Sequence, residues 1–455
     1  MRQRLLAATP LKGSLFSGEP WSRGCSDGLK NMDFFNIGVS HHRAPVSLRE
    51  KLPPPEVLEA ALQGLQDQNA DPAESLVLST CNRLEVLAVS RQPEAAALAA
   101  AEALASAAGL SPAELEPSLH QYFGLEAVRH VFRVAASLDS LVLGEPQILG
   151  QVKAAFRESV RRRQAGAFLH QLMHRAFRTA KRVRGETRLA GGAVSVAGAA
   201  VALARNLWGR ELARARVVIL GAGPMAGLAA DNLKKRAAAD LTILSRTLAR
   251  AEGLALKSGA AARPWPELEA ALAQADLVIA ATAAQRPVLT AENLRPVLAG
   301  RPERPLFIID IGVPRNAAHE VKRFKNVILR NIDDLNEVVW ENRLSRAEEA
   351  AAAEAVVEEE VGKFGRWLAR QAHQPTLAAL TRKAEAIRRL ELKKTLSQHD
   401  FDSSQRAALE AMTAALVRRL LHDPLVFIKN ASPPGGGCQE AQRGCVLSIR
   451  RAFNI

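Results

Sequence analysis

Cysteine is scarce in this 455-residue chain, and its placement excludes several functions. The four thiols, Cys25, Cys81, Cys438 and Cys445, are too few and too scattered for a disulfide framework. No C-x-x-C pair or clustered Cys/His set occurs, which argues against a zinc site, and the usage fits a reducing compartment. No apolar run approaches the roughly 18 residues needed to span a bilayer. Acids are also short, with 47 Asp and Glu against 61 Lys and Arg and a net charge of +14. That surplus favours a polyanionic partner such as nucleic acid through phosphate neutralisation, although an arginine-rich chain can be basic without binding anything. The first 31 residues carry only Glu19 and Asp27 as acids. They read as a transit-like segment or as an over-long start, with Met32 the true first residue. The tail 431–455 contains Gly435-Gly436-Gly437 and reads as disordered.

A chain that is 48% hydrophobic and 24% charged builds globular domains, here two to four of them. Strand patterns at 34–40, 75–79 and 84–90 alternate with helical stretches at 54–68 and 93–107, which predicts a compact α/β domain of split βαβ, ferredoxin-like type. Residues 122–190 read as successive helices, densely basic from Arg157 to Arg188. The segment Arg216-Val217-Val218-Ile219-Leu220-Gly221-Ala222-Gly223-Pro224-Met225-Ala226 is a buried strand, a tight turn and a helix start. A helix to Arg236, a second strand at 241–244 and further strands at 277–281 and 306–311 complete a doubly wound, Rossmann-type sheet. From Asp333 to about Arg370 the sequence predicts one long helix, punctuated by Pro375 and followed by helices at 376–396 and 403–421 that suit an oligomer interface.

Two places carry chemistry. The glycine-rich turn lets backbone N–H groups and a helix N-terminus approach a pyrophosphate. At the end of the second strand, where NAD sites place an acid, the chain has Ser245-Arg246-Thr247, a hydroxyl and a guanidinium suited to the 2′-phosphate of NADP(H). The second place is Ser79-Thr80-Cys81-Asn82-Arg83-Leu84-Glu85, where a thiol ends a buried strand beside Arg83. It reads as an inert packing cysteine or as a nucleophile.

Those seven residues, together with the run from Ser137-Leu138-Asp139-Ser140 through Gly144-Glu145-Pro146-Gln147 to Gly150-Gln151-Val152-Lys153, resemble the signature of glutamyl-tRNA reductases. The opening Gly38-Val39-Ser40-His41-His42-Arg43-Ala44-Pro45-Val46 and the late Leu421-His422-Asp423-Pro424 are similar to that family too, and the likeness covers about Phe34 to Lys429. The resemblance implies NADPH-dependent reduction of glutamyl-tRNA(Glu) to glutamate-1-semialdehyde through a cysteine thioester, the first step of the five-carbon route to 5-aminolevulinate and tetrapyrroles. It implies Cys81 as nucleophile, and His130 as a residue needed for activity, either as base or to position substrate. Thr80, Asn82, Arg83, Ser140, Glu145, Gln147 and Gln151 would bind substrate, with Arg83 clamping its carboxylate. Gly221, Ala222, Gly223, Pro224, Met225, Ala226, Ser245, Arg246 and Thr247 would hold NADPH.

The implied architecture is a V-shaped homodimer joined through its C-terminal helices. Its parts would be an extension at 1–31, a catalytic domain at 32–190, an NADPH domain at 191–330, a spinal helix at 331–372, a helical dimerisation domain at 373–430 and the tail. A hinge movement is then expected to bring thioester and nicotinamide together. A transient complex with glutamate-1-semialdehyde aminomutase and a cytoplasmic location (plastid stroma if 1–31 is a transit peptide) are further implications. His42-Arg43 departs from the family's lysine-threonine pair, and Pro224 stands where a charged residue is common. Competing readings are a non-catalytic tRNA-binding scaffold and an NADP-dependent dehydrogenase of a small free substrate.

Overall fold

The computed structural model describes residues 33–67, 73–140, 143–145, 147–187, 189, 196–208, 212, 214–235, 240–301, 303–335, 347–430, 448 and 450–454. The expected extension at 1–31 and the Gly-rich part of the tail lie outside them. The chain divides into a body of Met32–Gly365 and a helical body from Arg366.

The larger body contains two sheets. In the first, β1 (Asp33–Ser40), α1 (Pro55–Asp67), β2 (Glu74–Ser79), β3 (Arg83–Ser90), α2 (Pro93–Ala107) and β4 (Leu119–Phe123) form a ferredoxin-like unit with antiparallel order β2-β3-β1-β4. Strand β4 falls at the edge of the stretch predicted to be helical. Its sequence, Leu-His-Gln-Tyr-Phe, is half polar and runs directly into helix α3 (Gly124–Ala135), so no turn separates the two periods. Helices α4 (Gln147–Arg161), α5 (Ala167–Glu186) and α6 (Val196–Trp208) follow.

The second sheet comprises β5 (Arg216–Leu220), α7 (Pro224–Lys235), β6 (Asp240–Ser245), α8 (Leu248–Ser258), β7 (Ala261–Pro264), β8 (Leu277–Ala280), β9 (Leu306–Asp310) and β10 (Val327–Asn331). All its pairs are parallel, in the doubly wound order β10-β9-β8-β5-β6-β7. β5 and β8 are near-continuous apolar runs because helices cover both faces. β7, with the sequence Ala-Ala-Arg-Pro, lacks that signal, and β10 carries only the short run Val327-Ile328-Leu329 before Arg330 and Asn331; the sequence reading missed both.

The long helix, α9, runs from Ala347 to Gln398. Residues 332–335 form a separate 3-10 turn, and 336–346 lie outside the described residues. Position 375 does not end the helix as predicted; one proline costs about 3 kcal/mol, which a 52-residue helix can absorb. The following helix, α10 (Ser403–Asn430), likewise continues past Pro424. Within the larger body, Phe364 near the start of α9 meets Phe132 and Phe168 edge-on at 6.1 and 5.8 Å. In the helical body, Leu377, Leu380 and Leu421 form a small core between α9 and α10. Among the described residues no single helix is long and apolar enough to cross a membrane.

Candidate active site

Cys81 sits at the tip of the β2–β3 hairpin. The hydroxyl of Thr80 accepts the backbone N–H groups of Asn82 and Arg83, each at 3.2 Å, and the Thr80 N–H bonds the Arg83 carbonyl at 2.8 Å, so the tip is internally fixed. A small pocket of ≈ 20 Å³ adjoins the thiol. All seven residues expected to bind substrate line it with Cys81: Thr80, Asn82, Arg83, Ser140, Glu145, Gln147 and Gln151. Gln147 and Gln151 share one face of α4 at i,i+4, and Ile148, Val196 and Met225 supply the apolar wall. Burial, then the negative charge of Glu145, pushes the thiol up to about 11, so the resting sulfur is protonated. Burial also raises the Glu145 carboxyl.

His130 is not part of that lining. Its Nε2 lies 3.1 Å from each oxygen of Glu85, while Arg83 donates to Glu85 at 2.7 Å and to Asp139 at 2.9 Å. This buried network follows from strand register. Glu85, Gly38 and His120 stand opposite one another across three strands, and Arg83 shares their face two residues from Glu85. Gly38 is required there, since a Cβ would lie 2.9 Å from the Glu85 Cγ and 2.4 Å from the Leu84 carbonyl oxygen. Burial alone would raise Glu85, but His130 and Arg83 outweigh it and hold the carboxyl well below the usual range. Burial likewise opposes ionisation of Asp139, yet its hydrogen bond with His42 and the Arg83 charge hold it low. His120 is driven down to about 4, chiefly by burial, and its Nε2 pairs with Asn36 Oδ1 at 3.0 Å.

The ligand atoms of Glu85, His120 and His130 lie within 4.8 Å of one another, a His/acid cluster invisible in sequence because 35 and 10 residues separate its members. The Arg83 guanidinium on the same carboxylate already supplies the positive charge that a metal ion would bring. Of the departing pair, His42 contacts Asp139 at 3.4 Å and Arg43 donates to the Leu119 carbonyl at 2.6 Å, so both side chains are engaged within the fold.

A second cavity, of ≈ 330 Å³, lies over the C-terminal ends of the parallel strands. Gly221, Ala222, Gly223, Pro224, Met225, Ser245 and Arg246 line it as expected. Ala226 is buried beneath the turn, and Thr247 is the exposed N-cap of α8; neither lines the cavity. Gly221 adopts φ +113°, and a Cβ there would lie 2.4 Å from the Ala281 carbonyl oxygen, so the turn fits a dinucleotide only as glycine. Arg250, in the first turn of α8, also lines the cavity beside Arg246. The sequence reading missed it, because Arg246 precedes the N-cap of α8 and no helical spacing links the two. The Asp310 carboxylate accepts N–H groups of Gly312, Asn316 and Ala317 at 3.0, 2.7 and 2.8 Å, fixing the loop that forms the far wall. Burial still pushes this group up to about 6.

Cys81 and Met225 line both cavities, so the thiol borders the nucleotide cavity as well as the small pocket. Arg49, also missed from sequence, holds this junction. It donates to the Cys81 carbonyl at 2.8 Å and to Asn82 Oδ1 at 3.1 Å while pairing with Asp333 beyond β10. Arg315 bonds Glu50 at 2.8 Å alongside.

Three family models match consecutive parts of the chain: the glutamyl-tRNAGlu reductase N-terminal domain over residues 37–187, shikimate/quinate 5-dehydrogenase over 202–338, and the glutamyl-tRNAGlu reductase dimerisation domain over 352–455. Glutamyl-tRNA reductase from Desulfovibrio desulfuricans is 42% identical over 93% of this chain and 97% of its own length. That from Syntrophotalea carbinolica is 44% identical over 88% of this chain and 90% of its own. A solved glutamyl-tRNA reductase from Methanopyrus kandleri is 32% identical, covering 93% of this chain and 99% of that one, with a TM-score of 0.47. The chain therefore belongs to the glutamyl-tRNA reductase family, enzymes that use NADPH to reduce glutamyl-tRNA to glutamate-1-semialdehyde at the start of tetrapyrrole synthesis.

Proposed function

We propose that Cys81 is the nucleophile of this reaction and that the pocket beside it holds the glutamyl group. The carrying observation is that one thiol borders both the seven polar residues and the dinucleotide turn. Sulfur attacks the ester carbonyl, the tRNA ribose oxygen leaves with a proton, and a glutamyl thioester remains. Bound NADPH supplies the hydride that reduces this thioester to the aldehyde. The Cys81 sulfur departs as the C–S bond breaks and regains its proton.

Glu145 is the ionisable group nearest the thiol in charge effect, and it disfavours the thiolate. Transfer of the thiol proton to its carboxylate as sulfur attacks removes that penalty. Thr80, Asn82, Ser140, Gln147 and Gln151 then orient the glutamyl group by hydrogen bonds. Arg83 meets the substrate with its charge already balanced by Glu85 and Asp139, so its contribution is directional hydrogen bonding. His130 is a positioning residue, acting through Glu85 on Arg83.

The exposed apolar residues Leu390 and Leu420 on α9 and α10 support the homodimer reading. Bacterial relatives support a cytoplasmic setting. Handover of the labile aldehyde to glutamate-1-semialdehyde aminomutase completes the proposal.

Purified chain given NADPH and glutamyl-tRNA should form the semialdehyde, and Cys81→Ser should abolish it, a loss of at least about 10³-fold as for other catalytic nucleophiles. Full activity in Cys81→Ser would sink the nucleophile assignment.

A further inference from the structure

Helices α4 and α5 carry eight Lys and Arg against two carboxylates, Glu158 and Glu186. Both acids are already engaged: Glu158 pairs with Arg161 and Arg162, and Glu186 with Arg182. Lys153 and Arg157 on α4, and Arg178 and Lys181 on α5, are exposed, and none of them takes part in an ion pair among the described residues. A ring links the two helices on this side. Lys153 Nζ lies 5.6 Å from the centre of Phe177, and Phe177 meets the exposed His174 at 6.3 Å. At i,i+4,i+7 spacing, His174, Arg178 and Lys181 share one face of α5.

This surface continues from the thiol pocket. Gln151, which lines that pocket, and Arg157 are six residues apart on α4, about 9 Å along the axis. Between the pocket side and the cationic side, the solvent arc of α4 carries Gly150 and Ala154, both exposed and without bulk. Cations spaced along a path, with a ring and an imidazole between them, suit the backbone and unstacked bases of a single-stranded RNA end.

We propose that the α4–α5 face formed by Lys153, Arg157, Arg178 and Lys181, with Phe177 and His174 between them, holds the acceptor end of glutamyl-tRNA and leads its ester to Cys81. The assignment rests on the reading of the adjoining pocket as the glutamyl site. The cations bind phosphates, Phe177 and His174 offer stacking faces, and the low shoulder at Gly150 and Ala154 lets the terminal nucleotide pass over the helix.

The test measures binding of uncharged tRNA to the full-length chain without NADPH across a salt series. The Lys153→Ala/Arg157→Ala/Arg178→Ala/Lys181→Ala variant should lose at least about tenfold in affinity, and its log-affinity against log-salt slope should fall by about 3–4, near one unit per phosphate contact. Lys235→Ala/Lys257→Ala, which removes charge elsewhere, should bind as wild type. In the unsubstituted protein, tRNA should protect Lys153 and Lys181, but not Lys235, from amine acetylation, a readout that does not depend on variant folding. Unchanged affinity and slope, equal loss in the Lys235/Lys257 variant, or absent protection would each overturn the surface. None of these readouts uses the thiol. Activity retained by Cys81→Ser alongside lost tRNA binding in the quadruple variant would therefore remove the nucleophile assignment and leave the surface standing.

Discussion

The thiol pocket and the nucleotide cavity adjoin at Cys81 and Met225, yet they are built on opposite principles. The first is ≈ 20 Å³ and is walled by side chains from five separate stretches, residues 80–83, 140, 145–151, 196 and 225. Behind it, Arg83, Glu85 and His120, aligned by strand register, join His130 of α3 and Asp139 of the bend after it in a buried network. The second is ≈ 330 Å³ and is centred on the Gly221–Gly223 turn, where glycines leave the backbone open to a ligand, with Met225, Arg246, Arg250 and Trp265 also in its lining. A backbone-built site accepts any ligand with the right phosphates. A side-chain-built site is specific, but it fails when one member is removed. The substitutions below test that contrast.

The largest effect is expected in the reactivity of the thiol. With Cys81 pushed up to about 11, alkylation by iodoacetamide should rise about tenfold per pH unit, or about 10³-fold from pH 7 to 10, because only the thiolate reacts. A plateau near neutral pH would show that the pocket does not suppress ionisation. Arg83→Met should follow, leaving Glu85 and Asp139 buried without their cation and costing about 3–5 kcal/mol in denaturant unfolding. Both carboxyls sit below their ordinary values in the native protein. Their contribution is thus present above the unfolded pKa and lost as pH falls through the folded one. The deficit of the variant should narrow in acid, below about pH 4. A pH-independent deficit would mean lost packing, not lost pairing. Gly221→Ala should weaken NADPH binding about 100-fold by fluorescence titration, from the 2.4 Å clash with Ala281 and the cost of φ +113°. Alkylation of Cys81 should persist in that variant, separating the two sites.

The same contrast explains what could be read in advance. The dinucleotide turn was legible because its strand, glycines and helix start are contiguous, and each constraint is local. At the thiol, local sequence left Cys81 undecided between packing and chemistry, and the family resemblance supplied the pocket residues. No local pattern could reveal that Glu85, Gly38 and His120 share a row, because the row depends on β4, whose short half-polar sequence merges into α3. Arg49 was hidden for the same reason. It lies on the four-residue helix Val46–Arg49, and its partners are 32 and 284 positions away.

Arg49 yields the smallest effect and the finest test of how the two sites are joined. Its guanidinium fork ties the Cys81 carbonyl and Asn82 to Asp333, whose carboxylate also accepts the Val46 N–H at 2.8 Å. Arg49→Lys keeps the charge but cannot span both partners. Thioester formation needs only the thiol pocket, so it should change little in single-turnover quench experiments. Hydride transfer needs the cavities in register, and it should slow about tenfold, equivalent to about 1.4 kcal/mol. Asp333→Asn should slow the same step, and the double variant should be no worse than the more impaired single one, as expected for residues that act as a unit. Additive losses would show that Arg49 supports the Cys81 loop and Asp333 the nucleotide domain independently, and the junction would then be two contacts instead of one coupling.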